Sequence, residues 1–148
     1  EGVEHVHAIT DGDVFKIAPG PAMIVDEIPV GRLFRDGKLI VPGEDGPVRE
    51  RRKLGFVGLV AVALALDERG DLAGDPEVEI DGVPTATADG REMVDVILTT
   101  VEGTIESIPP KRRKDEERVR EAVRRAVRAS VDQVWGKKPI VKVLICLV

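Results

Sequence analysis

The chain predicts an α+β fold in which a three-stranded mixed sheet is faced by two helices, in the order β-β-α-α-β, over residues 48–148. Three observations carry that expectation. An apolar run, Leu54–Asp67, reads as a long buried strand. Two later segments place aliphatic residues at helical spacing. The chain closes on a second apolar run, "IVKVLICLV", which reads as a strand beside the first.

Residues 1–47 read as short strands broken by glycine turns: "VEHVHAI", "VFKIA", "AMIVDEIPVGRLF" and "LIVPG", with "RDGK" as a hairpin signal. They are too few and too short to close a core and are expected to complete a sheet formed elsewhere. "PGEDGPVRERRK" carries Pro42, Gly43, Gly46 and Pro47 ahead of a mixed-charge run, which marks a linker with a boundary near residue 48.

In the second unit, the β-branched and aromatic content of Leu54–Leu66 favours strand, and "DERGD" turns the chain. "EVEID" alternates Val78 and Ile80 against Glu77, Glu79 and Asp81, the pattern of a half-exposed strand. Met93, Ile97, Val101 and Ile105 form a helical stripe that Pro109-Pro110 ends, with Asp89 as a candidate cap. Asp115 is placed to cap the next helix, whose stripe runs from Val119 to Val134. Gly136 stands where its C-cap belongs. The first strand is apolar on both alternating sets, so one sheet face lacks a cover. The candidate interface residues are Val57, Leu59, Ala61, Val141, Val143 and Ile145.

Composition narrows the function. Three Phe, one Trp and no Tyr give 3% aromatic residues, a poor supply for a base-stacking platform. The single Cys146 has no partner for an intrachain disulfide and suits a reducing compartment, so a cytoplasmic location is expected. No apolar run is long enough for a membrane span. "EGVEH" has no signal-peptide character and no initiator Met, and the chain reads as the tail of a longer protein.

The net charge of −5 divides unevenly: residues 1–110 carry 10 basic and 22 acidic side chains, or −12, whereas 111–148 carry 12 and 5, or +7. The basic residues gather in "KRRKDEERVREAVRR". Lys111, Arg112, Arg113, Lys114, Arg120, Arg124 and Arg128 are therefore candidates for contact with RNA or an acidic partner. The plainer reading is a solvated face stitched by Glu121–Arg124 and Glu121–Arg125 pairs.

His5 and His7 invite a metal reading, but there is no other His in the chain, and a hydrolytic zinc centre needs three or four ligands. Asp11 and Asp13 suit a turn. Cys146 has only Lys142 near it to favour the thiolate, and the serines lack a base. No catalytic, metal-binding or cofactor residue is assigned in this chain.

The segments "ITDGDVFKIAPGPAMIVDEIPVGRLFRDGKLI", "RRKLGFVGLVAVALALDERGDLAGDPEVEIDG" and "IESIPPKRRKDEERVREAVRRAVRASVDQVWGKKPIVKVLICLV" resemble, in order, the C-terminal part of the ribonuclease J family in its alphaproteobacterial version. The resemblance implies a metallo-β-lactamase/β-CASP enzyme that degrades and processes RNA as a 5′–3′ exonuclease and endonuclease. It also implies two divalent ions, zinc or manganese, in the parent enzyme. The family's HxHxDH motif lies upstream of the matched region, and "HVHAIT" departs from it. On this reading 1–47 holds terminal strands of the metallo-β-lactamase domain plus linker. Residues 48–148 form the C-terminal domain, serving homo-oligomer assembly and full activity. The alternative is a docking module that works through the basic helix.

Overall fold

A computed structural model describes residues 2, 5–43 and 46–148. The chain divides into two compact units, Glu1–Arg49 and Glu50–Val148.

The first unit consists of two antiparallel ribbons. Strands β1 (Asp13–Lys16) and β2 (Met23–Glu27) pair with an irregularity between Val14 and Phe15; β3 (Leu33–Asp36) and β4 (Leu39–Pro42) pair in register. The "RDGK" signal is realised as a tight hairpin, with Gly37 at φ 60° in the turn. None of the unit's described side chains is buried, and Ile17 and Leu33 stand 78% and 70% exposed. These ribbons therefore have no core of their own, which agrees with strands that need a larger sheet. Residues 5–9 of the expected strand "VEHVHAI" form no strand; Val3 and Glu4 lie outside the described residues.

Helix α1 (Pro47–Val57) replaces the expected linker and the first residues of the expected long strand. Pro47 occupies the first turn, where its missing N–H costs nothing, and the Arg, Glu and Lys that follow are good helix formers. Their mixed charge reads equally as a solvated loop, so this helix was hidden in the sequence. Gly58 ends it: its N–H donates to Leu54 O at 2.8 Å, and its φ of 68° turns the chain directly into β5 (Leu59–Leu66).

The second unit is an α+β sandwich of a three-stranded sheet and helices. Strand order is β6-β5-β7, with β6 (Glu77–Asp81) antiparallel and β7 (Ile140–Leu147) parallel to the central β5. Helices α2 (Met93–Ser107) and α4 (Glu116–Trp135) cover one face, and a single turn, α3 (Pro110–Arg113), joins them. Each long helix offers a ridge at fourth-residue spacing. Met93, Ile97, Val101 and Ile105 meet Val119, Val123, Val127 and Val131 above Val60, Val62, Leu64 and Leu66 of β5, all at most 3% exposed.

The ends of α4 are as its sequence predicts. The Asp115 carboxylate accepts the Arg118 N–H at 3.1 Å, and Gly136 closes the helix at φ 79°. Asp89 does not cap α2. It accepts from Thr87 Oγ1 and from Arg91 Nε in the preceding turn, and Glu92 takes the N-cap position without a side-chain bond.

Candidate functional site

The two surfaces singled out in the sequence, an uncovered sheet face and a basic helix, are both present in the second unit, but with different membership. Strand alternation and the β6-β5-β7 register fix the open face. Leu59, Ala61, Ala63 and Ala65 form its central column. Asp81, Glu79 and Glu77 lie beside the first three of them on β6, and Ile140, Lys142, Leu144 and Cys146 flank the column on β7. At the level of Ala61 a carboxylate, a methyl group and an ammonium thus lie across the sheet in the sequence Glu79–Ala61–Lys142. No helix of this unit covers that face, and Leu144 is 62% exposed.

Four of the six interface candidates require correction. Val141 and Val143 are 6% exposed and pack with Val60 and Val62 beneath the helices, and Ile145 joins that core from its edge. A strand buried on one face has only alternate residues free, so the opposite set of β7 belongs to the open side. Val57 lies at the end of α1 rather than on a strand. Leu59 and Ala61 lie on the open face.

The basic residues also divide. Arg113 is an internal tie: its guanidinium pairs with Asp71, while Nε and Nη2 donate to Ile108 O at 2.6 Å and Glu106 O at 2.9 Å. With its side chain only 15% exposed, it is committed to linking the end of α2 to the β5–β6 turn. Arg113→Ala is expected to cost about 2–3 kcal/mol, the range for losing hydrogen bonds to a charged donor and stranding their acceptors. A chemical denaturation curve shifted by that amount identifies a structural role; an unshifted curve with altered ligand binding would return Arg113 to the surface set.

Arg120 pairs with Glu116 and Glu117 and also donates Nη1 to Val143 O at 2.8 Å. Arg124 makes two 2.8 Å bonds to Glu121, which Arg125 also approaches at 3.7 Å. The anticipated Glu121 pairs are thus both formed. Arg128 has neither an ion pair nor a partner for its buried Nε among the described residues. Lys111, Arg112 and Lys114 are exposed on or just after α3.

Several carboxylates are held below the usual range. The Asp71 N–H acts first on Asp67, with the Arg69 N–H adding to it; the Arg118 N–H acts first on Asp115; the Arg124 side chain acts on Glu121. Each is more acidic folded than unfolded, so its contribution is complete above the ordinary carboxylate pKa of about 4 and is lost as pH falls below it. Thermal stability should be level from about pH 5 upward and fall below about pH 4. Asp67→Asn should flatten part of that fall in a melting series, whereas a fall beginning near pH 6 would point to other groups.

His5 and His7 are exposed, and the His7 ring lies tilted against Phe15 with ring centres 5.0 Å apart. Among the described residues, no group of three His, Cys, Asp or Glu side chains converges as metal ligands would. The described residues do not fit a two-ion centre. Among the described residues, no helix is long and apolar enough to cross a membrane.

These features define an α+β module with one bare sheet face and one cationic helix flank. Residues 46–148 match the family model described as "Ribonuclease J C-terminal domain", and the chain belongs to that family. It is 46% identical to a Ribonuclease J of Sinorhizobium meliloti over 97% of this chain and 26% of that protein. It is also 27% identical to a Ribonuclease J of Corynebacterium glutamicum over 93% of this chain and 19% of that protein. The chain thus spans about a quarter or less of the length of these relatives.

Proposed function

We propose that this chain is the non-catalytic C-terminal region of a cytoplasmic, metal-dependent ribonuclease of the ribonuclease J type, and that its second unit assembles the enzyme through the open sheet face. In this reading residues 1–47 are terminal strands and linker of the catalytic metallo-β-lactamase domain, whose ribbons find their core there. RNA is the substrate of the whole enzyme, and its divalent ions are held by residues outside this chain.

The observation that carries the assembly reading is the pattern of the bare face: acids on one edge, small and aliphatic residues along the centre, and an ammonium with aliphatics on the other edge. Two such faces stacked about 10 Å apart can be related by a two-fold axis running along the strands or across them. An axis across the strands sets the acid column over its copy. An axis along the strands sets β6 over the partner copy's β7, with Glu79 opposite Lys142 at the Ala61 level. The second arrangement gives Glu79 its ammonium partner, leaves Asp81 and Glu77 over the aliphatic Ile140 and Leu144 at the rim, and buries Leu59 and Ala63 at the centre between copies. Sedimentation equilibrium of the chain should give a dimer or a multiple of it in the micromolar range, and Ala61→Asp a folded monomer. A monomeric parent chain would refute the assembly role.

A further inference from the structure

We propose that the outer edge of β7, together with the arginine stripe of α4, is a docking groove for an extended acidic peptide that adds to the sheet as a fourth strand. This site lies on the flank of the sheet, shares Ile140, Lys142 and Leu144 with the rim of the face assigned to assembly, and goes beyond that reading. The backbone sets up the edge. Ile140 N–H donates to Gly58 O and Val148 N–H to Leu66 O, both at 3.0 Å, so the even residues of β7 turn their backbone groups toward β5. In a parallel ladder the odd residues then turn theirs outward. Among the described residues no strand pairs with that edge, and Arg120 reaches across to bond the Val143 carbonyl.

Beside the edge runs a groove of about 500 Å³, lined by five cations, Lys53, Arg120, Arg124, Arg128 and Lys142, and by Pro139–Leu144, with no carboxylate in its wall. Spacing makes a peptide strand fit. Arg120, Arg124 and Arg128 are one helical turn apart, about 6 Å of rise, and alternate residues of a strand are about 6.6–6.8 Å apart. A strand on the β7 edge with an acid at every second position therefore presents carboxylates along the arginine stripe while its backbone pairs with the outward groups of Val141 and Ile145 and with the Val143 N–H, the Val143 carbonyl being held by Arg120.

Arg128 is the arginine best prepared to accept one, since its Nε is buried without a partner. A second copy's β7 is the poorer occupant, because it would bring its own Arg stripe against this one. RNA is also poorer, because three Phe, one Trp and no Tyr in the whole chain supply few rings for stacking.

The test uses a labelled eight-residue peptide with Glu at alternate positions and Thr between, titrated into the full chain by fluorescence anisotropy. Two further versions carry backbone N-methyl groups on one or the other alternate set of residues. The Glu peptide should bind and its Gln counterpart at least tenfold more weakly. Arg128→Glu and, separately, the exposed Lys53→Glu should each weaken binding at least tenfold with unchanged circular dichroism. Only one of the two methylated peptides should bind. Equal binding by both methylated peptides would reduce the groove to a simple charge contact and overturn the strand proposal. So would tighter binding of a ten-nucleotide uridine oligomer to the same cations, or no binding of the Glu peptide.

Discussion

Val60→Asp is expected to abolish folding of residues 50–148. Val60 is fully buried near the start of the central strand β5, in the core shared with α2 and α4. Removing its side chain from the core forfeits about 1.5–3 kcal/mol, and an unpaired carboxylate in its place costs several more, against a total stability of about 5–15 kcal/mol for an ordinary domain. Ala61→Asp, one residue along, should leave the fold intact because Ala61 faces the open side beside Lys142. Far-ultraviolet circular dichroism separates the two: lost helix signal in the first and retained signal in the second. Loss in both would mean that the second face is also buried within the folded unit.

The second large effect is expected at Gly58. Its φ of 68° costs an L-residue about 1–2 kcal/mol, and an added Cβ would lie 2.7 Å from both Asp81 O and Gly82 O. Those atoms belong to the backbone at the end of β6, so relief requires the strand to move. Gly58→Ala should therefore lose about 3 kcal/mol or more, roughly 10–20 °C in melting temperature for a unit of this size. Gly90→Ala is the control, since it shares a positive φ of 84° but an added Cβ meets nothing within 4 Å. Equal losses at the two sites would show that backbone strain alone accounts for the effect.

The sequence exposed most of this fold because its helices carry clean valine and isoleucine stripes with strong end signals, Asp115 and Gly136 above all. It hid α1, where Pro47 and a charged run serve a helix start as well as a linker, and where Leu54–Val57 merges into the following apolar strand without a break in hydropathy. The candidate surfaces were legible only in part. Alternation shows that two faces exist on β7 but does not say which one the helices cover, so pattern alone does not separate Val141 and Val143 from the open side. Charge counting located the basic helix, yet the separation of Arg113, spent on Ile108, Glu106 and Asp71, from the unpartnered Arg128 depends on contacts between segments distant in the chain.

Assembly through the open sheet face is tested most directly by exchanging the two charges at the Ala61 level. Glu79→Lys would set lysine over the partner copy's Lys142, and Lys142→Glu would set glutamate over its Glu79. Sedimentation equilibrium of the parent chain, both single variants and the double variant should give an assembled parent, two weakened single variants and recovery in the double variant. Single variants that assemble like the parent, or a double variant no better than either, would contradict the proposed two-fold stacking of the sheets.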